Sequence, residues 1–390
     1  MDENPPSTSN NAPDVPPAPA APPPPSATLP PHRPPVIAAP APAKKSSGRG
    51  WMVFALILLV LLVVSVMGNF VGVTMHSALP VTRTREVGPR LEEAILEDHE
   101  ARNKIAVIDV DGIITSRAAD QGYNMVEVVK AQLERAEKDD RVKAVILKVD
   151  SPGGEVLASD DISRAIKDFQ TKADGKPVIC SMGNLAASGG YYISAPCRWI
   201  VANELTITGS IGVIMSTYNY RGLMDKIGLR PETFKSGEYK DMLSGSREPD
   251  SITPKEREMV QNLIDETYAK FKSVVADGRK AAHEKNKDKG RALADDWVDY
   301  ADGRILSGTE AYRLGFVDEL GTFDDTVKRA KAIAGIRNAN LVEYKQRYDF
   351  ADFFRMFGQS ESKAVKVDLG MDAPKLKAGQ LYFLSTTFFH

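Results

Sequence analysis

The chain has 390 residues, a formal net charge of −2 and 43% hydrophobic residues. That length leaves room for about two domains. The near-neutral charge argues against a nucleic-acid partner, and two cysteines are too few for a disulfide framework.

Residues 1–50 hold sixteen of the chain's 25 prolines, set mostly among Ala, Ser and Asn. Proline lacks an N–H and stiffens the chain, and so few large apolar side chains cannot offset the entropy of folding. A disordered or polyproline-like tail is expected. Residues 51–75 are nearly unbroken apolar sequence, from Trp51-Met-Val-Phe-Ala-Leu through to Met75. A helix rising ~1.5 Å per residue needs roughly 20 such residues to cross the hydrocarbon. The run is long for the core of a signal peptide, and a fifty-residue leader before it would be unusual. Lys44, Lys45 and Arg49 precede it with no matching cluster behind. Positive residues stay inside, so the expectation is one transmembrane helix, a cytoplasmic tail, and an extracytoplasmic remainder. Residues 76–103 are charged and mixed, which suggests a stalk or juxtamembrane helix. Cys180 and Cys197 are expected as buried free thiols.

From residue 104 short apolar strands alternate with helices. Lys104–Val110 reads as a strand ended by Asp111-Gly112, and Met125, Val128, Val129, Leu133 and Ala136 recur at helical spacing. Val142–Val149 is a second strand, broken at Asp150-Ser-Pro-Gly-Gly154 before a helix over 156–169. A strand at Pro177–Cys180 precedes a third helix after Ser188, and Arg198–Ala202 is a further strand. This rhythm predicts an α/β fold with a mostly parallel sheet, and ligands in such sheets bind beyond the C-terminal strand ends. Gly153-Gly154 and Ser188 both fall there.

Ser188 follows a run of small residues and is followed by Gly189-Gly190. A serine at a tight strand-to-helix turn with so little around it can present its hydroxyl to a carbonyl carbon. The glycine pair at 153–154 lets the backbone turn with positive φ and bring bare N–H groups near a ligand. One of those could stabilise an oxyanion, a term worth roughly 3–4 kcal/mol. A serine needs a base. The five histidines are His32, His76, His99, His283 and His390, and none lies between residues 100 and 282. A Ser-His-Asp triad would need His99 or His283 to fold back. The other option is a lysine made neutral by burial, which disfavours the ammonium form. Spacing alone does not choose among the lysines.

Six ordered motifs do: Asp150-Ser-Pro-Gly-Gly154, Ser181-Met-Gly183, Ala186-Ala-Ser-Gly-Gly-Tyr-Tyr-Ile193, Thr208-Gly-Ser-Ile-Gly-Val-Ile-Met215, Lys235-Ser-Gly-Glu-Tyr-Lys-Asp241, and Ala301-Asp-Gly-Arg304 with Ala311–Gly321. Over about residues 100–335 the chain resembles the signal peptide peptidase A family of bacterial membrane serine proteases, in its short single-unit form. The resemblance implies a Clp-protease/crotonase-like fold and a Ser-Lys dyad. Ser188 matches the nucleophile, Lys240 the general base and Ser210 the hydroxyl that orients the lysine amine. Gly154 and Gly189 match the oxyanion-hole N–H groups. Glu155 is a departure, since relatives often carry a third glycine there. Remnant signal peptides are the implied substrates and the inner membrane the implied location. The implied assembly is a homo-oligomer, an octamer in the short form, with the lysine given across the subunit interface; no cofactor or metal is implied. The expected layout is a tail (1–50), a transmembrane helix (51–75), a stalk (76–103), a protease domain (104–335) and a C-terminal extension (336–390). The extension ends in an apolar stretch, Leu381–His390, expected to pack on a neighbouring subunit or on its own. The alternatives are a related protease of the same fold acting on a membrane protein partner, and an inactive membrane scaffold.

Overall fold

The computed structural model describes residues 52–65, 88–117, 123–172, 175–287, 289–346 and 381–384. The chain divides into two units, Met1–Arg83 and Thr84–His390. In the first unit α1 (52–65) is a helix whose leucine, isoleucine and valine side chains are exposed. Among the described residues no helix is long and apolar enough to cross a membrane. α1 accounts for part of the apolar run 51–75; the rest of that run, the proline-rich tail and residues 76–87 lie outside the described residues.

The second unit opens with β1 (Leu91–Glu97) and β2 (Lys104–Asp111). There follow α2 (Met125–Lys138), β3 (Val142–Ser151), β4 (Gly153–Glu155), α3 (Val156–Lys172), β5 (Val178–Ala187) and α4 (Gly189–Ser194). Then come β6 (Trp199–Ala202), β7 (Ile207–Gly209), α5 (Arg221–Lys226), the long α6 (Pro254–Asn286), β8 (Ile305–Ser307) and α7 (Gly308–Arg313). The described chain finishes with β9 (Glu319–Leu320), α8 (Phe323–Ile333), β10 (Asn340–Gln346) and β11 (Tyr382–Leu384).

The main sheet runs β1-β10-β2-β3-β5-β6-β9. Every neighbour pair along it is parallel except β1, which is antiparallel to β10. Its strands read as unbroken apolar sequence because both faces are covered, and successive side chains alternate between them. Ala106, Ile108 and Val110 of β2, with Val145, Leu147 and Val149 of β3, join one core with α2 and α3. Ile105, Val107, Ala144 and Ile146 point the other way, to a second core with Val327 and Ala330 of α8. Asn124 and Glu127 close a capping box that starts α2 at the first residue of its apolar pattern.

Four expectations change. The stalk over 76–103 is not one segment: β1 takes residues 91–97 into the sheet, so the folded unit begins before residue 104. Likewise β10 and β11 bring parts of the extension 336–390 into the fold. The strand expected at 177–180 continues to Ala187. Its small and polar later half has little strand propensity of its own, but it gains partners: β7 pairs with it over Leu185–Ala187, and Asp150 accepts the N–H groups of Asn184 and Leu185. The break at 150–154 likewise contains β4, whose glycines are recruited by pairing with other segments.

Candidate active site

β5 ends at Ala187 and α4 begins at Gly189, so Ser188 is the whole of the turn between them. Its backbone sits at φ +56° and ψ −116°. Those angles belong to the first central position of a type II′ turn, normally a glycine site, and a side chain there stores strain. The turn is fixed on both sides. Ser188 N–H donates to the Gly209 carbonyl at 2.8 Å, and the Ser188 carbonyl accepts from Tyr192 N–H at 2.8 Å. Ser188 is buried, and among the described residues its hydroxyl caps nothing in α4.

The glycines around it allow close approach. A Cβ on Gly189 would lie 2.7 Å from Ser159 Oγ and 3.1 Å from the Gly154 nitrogen. One on Gly154 would meet the Ile114 carbonyl oxygen at 1.9 Å. β4 therefore lies directly against the start of α4. One edge of β4 is taken: Ile114 N–H donates to Gly153 O at 2.9 Å, and Glu155 N–H donates to Ile114 O at 2.8 Å. Since alternate residues of a strand face opposite neighbours, Gly154 turns its N–H and C=O to the other edge. That edge carries β11, antiparallel, with Phe383 opposite Gly154. On its far side Tyr382 exchanges hydrogen bonds of 3.1 and 3.2 Å with Ile214. Phe383 is wholly buried between Tyr192 and Phe271, with ring centroids at 4.7 and 4.6 Å.

Ser210 follows β7, the neighbour of β5, and Ala187 pairs with Gly209. It too has a left-handed φ, +50°, and its N–H donates to Arg304 O at 2.7 Å. Ser188 and Ser210 thus leave adjacent strand ends, with Gly154 and Gly189 alongside Ser188. Lys240 is elsewhere. It is exposed, in a turn where its N–H donates to Gly237 O at 3.2 Å, and no hydrogen bond joins it to Ser188 among the described residues. His99 and His283 are also engaged away from the serine, with Glu97 and with the Gly290 carbonyl.

Reading the sequence missed three supports. Ser151 Oγ accepts the Gly153 N–H at 3.1 Å, and Ser159 Oγ donates to the Glu155 carbonyl at 3.0 Å behind Gly189. Glu155, noted only as a departure from the family pattern, is buried and accepts from Ser116 N–H at 2.9 Å and Thr115 Oγ1 at 3.1 Å. It thereby ties the loop bearing Ile114 to β4. Desolvation pushes the Glu155 carboxyl up, but the hydrogen bonds from Ser116 and Thr115 outweigh it and hold the pKa below its ordinary 4.5. A depressed folded value means stabilisation that is complete above the unfolded pKa and is lost as pH falls through the folded one. Glu155→Gln should cost about 1–3 kcal/mol at neutral pH. The gap to the parent should narrow as pH is lowered below about 4. Melting curves across that range check this, and a gap independent of pH would contradict it.

Residues 170–337 match the model of peptidase family S49. This stretch includes Ser188, Ser210 and Lys240 and begins after Gly154. A protein assigned as a protease in Synechocystis sp. is 41% identical over 235 residues, which cover 60% of this chain and 76% of the relative. Another, from Methanocaldococcus jannaschii, is 39% identical over 238 residues, covering 60% of this chain and 68% of the relative. A protein assigned as signal peptide peptidase SppA in Enterococcus faecium is 36% identical over 260 residues, covering 65% and 71%.

Proposed function

The chain belongs to peptidase family S49, and from that premise we propose that it is a membrane-anchored serine endopeptidase that clears remnant signal peptides with a Ser-Lys dyad. One observation carries the reading: Ser188 stands alone at the β5–α4 junction, with Gly154 and Gly189 beside it and Ser210 on the adjacent strand end. In this scheme Ser188 Oγ attacks the scissile carbonyl carbon while its proton passes to the neutral Lys240 amine. The N–H groups of Gly154 and Gly189 receive the oxyanion. The C–N bond then breaks, the leaving amine takes the proton from Lys240, and an acyl-serine remains. Water attacks the ester, again giving its proton to the lysine, and the acid product departs as Ser188 regains its hydrogen. Ser210 Oγ orients the amine.

The base comes from a neighbouring copy. Lys240 is exposed in its own chain, and the segment around it exposes Tyr218, Leu223, Ile227, Leu229 and Phe234. So much unpartnered apolar surface on one segment is characteristic of an interface. Burial there would exclude water from the lysine and favour its neutral form. A homo-oligomer follows, an octamer if it is like the family's short form, built on a Clp-protease/crotonase-like fold. Residues 51–75 anchor it in the inner membrane, residues 1–50 stay in the cytoplasm, and the catalytic unit works outside.

The test is a detergent-solubilised full chain incubated with a synthetic apolar signal-peptide core, with fragments identified by mass spectrometry. Internal cleavage that disappears in Ser188→Ala is the expected result. No cleavage of such peptides, alongside cleavage of a folded membrane protein, would move the activity to a membrane-protein partner.

A further inference from the structure

The turn that carries Lys240 is weakly held from within. From Gly237 onward it is a string of tight turns, closed by Lys240 N–H to Gly237 O at 3.2 Å, Met242 N–H to Tyr239 O at 3.0 Å and Ser244 N–H to Asp241 O at 3.0 Å. Leu243 has φ +66°, a left-handed backbone that a leucine keeps only where its surroundings impose it.

The first turn of α6 imposes it. Arg247 Nη1 donates to Glu256 Oε1 at 2.5 Å, and Nη2 donates to the Ser251 carbonyl at 2.6 Å. The same Nη1 reaches Asp241 Oδ1 at 3.5 Å, and that oxygen also accepts from Lys235 Nζ at 2.8 Å. Glu256 is buried, and its other oxygen accepts the Thr253 N–H at 2.7 Å, so it caps α6 and grips Arg247 at once. On the other side of the base, Lys255 Nζ lies 5.5 Å from the centre of the Tyr239 ring. Both sequence neighbours of Lys240 are therefore tied to the start of α6, Tyr239 through Lys255 and Asp241 through Arg247.

Further along, α6 packs on the helix of the nucleophile. Phe271 meets Tyr192 of α4 with ring centroids 4.9 Å apart, and a Cβ on Gly278 would lie 2.6 Å from the Ala195 carbonyl oxygen at the end of α4. From Glu256 to Phe271 the helix runs on for roughly 22 Å. One rod thus fixes the offset between the helix that begins after Ser188 and the turn that bears Lys240.

We propose that Arg247 is the positioning residue of the catalytic base: its fork onto Glu256, Ser251 and Asp241 fixes the Lys240 turn to the start of α6, so that each subunit presents its lysine to the neighbouring serine. The proposal rests on the Ser-Lys reading above. Arg247 acts on the lysine only through the backbone of the turn. A base displaced by about an ångström costs on the order of 10²-fold in rate, while peptide binding is left alone. A planar guanidinium reaches all three acceptors together, which a lysine ammonium in its place does only in part.

The experiment uses the full chain and a short chromogenic peptide. Arg247→Ala assemblies, checked for size by light scattering, should lose at least about tenfold in kcat with KM within about twofold, and Arg247→Lys should recover part of the loss. A second arm mixes a Ser188→Ala chain, which supplies the lysine, with a Lys240→Ala chain, which supplies the serine. Arg247→Ala added to the lysine-supplying chain should lower the recovered rate at least about tenfold. Added to the other chain, which has no Lys240 to place, it should leave that rate within about twofold. Equal losses from the two placements would mean that Arg247 only maintains the fold or the assembly, and would overturn the proposal, as would no loss from either. If Arg247→Ala does not assemble, Glu256→Gln replaces it in both arms, since glutamine keeps an oxygen for the Thr253 N–H and gives up the charge that grips Arg247. If the pair without further changes assembles and stays silent, the shared Ser-Lys site fails, and Arg247 stands or falls on the split between kcat and KM in the first arm.

Discussion

Ser188→Ala should lower turnover of a cleaved peptide by at least about 10⁴-fold, the scale seen when the nucleophile of a serine protease is removed. Loss of the hydroxyl should leave folding almost untouched, because it caps nothing in α4 among the described residues. Ser188→Gly separates the two roles of the position further. The backbone there, at φ +56° and ψ −116°, is one that glycine adopts freely and serine does not. Ser188→Gly should therefore be as inactive as the alanine variant yet more stable than the parent by about 1–3 kcal/mol. Denaturant unfolding of the three proteins measures this. A glycine variant no more stable than the parent would mean that the turn carries no strain, and an active alanine variant would mean that another residue attacks.

Lys240→Arg should abolish activity to a similar extent. It keeps the positive charge and the length of the side chain, but a guanidinium does not give up its proton and cannot accept one from serine. Neither Ser188→Ala nor Lys240→Ala assemblies should turn over alone. Subunits of the two, mixed before assembly, should recover activity, because about a quarter of interfaces in a randomly mixed ring join an intact serine to an intact lysine. The recovered rate should follow the mixing ratio and peak when the two are equal. Mixed assemblies that form and stay silent would place the base within the same chain as the serine.

What the sequence made legible depended on how local the cause was. β2, α2 and β3 were readable because each carries its own signal: apolar runs for strands covered on both faces, and apolar residues at helical spacing for α2. Ser188 was readable for a related reason, since crowding at the turn demands small residues on both sides of it. β4 and the later part of β5 were not, because glycine, serine and asparagine have no leaning toward strand. They become strands only through partners far away in the chain, Ile114 and Phe383 for β4 and the β7 ladder for β5. The same holds for Phe383: its apolar neighbourhood was visible, but its place against Tyr192 and Phe271 depends on pairing across the whole fold. The assignment of Lys240 as the base rests on family resemblance alone, since nothing in its own turn marks it as one.

The position of β10 bears on how this protein is made. It lies between β1 and β2, the first two strands to be synthesised, yet it is formed near the end of the described chain. The first two strands cannot close on each other, since the slot between them waits for a latecomer. Contacts of such long sequence separation are slow to form and leave hydrophobic edges open meanwhile. A growing chain would carry that gap until residues 340–346 had emerged, and only then could the sheet be completed. The sheet that carries the Ser188 turn is therefore closed only after nearly all of the described chain has been made.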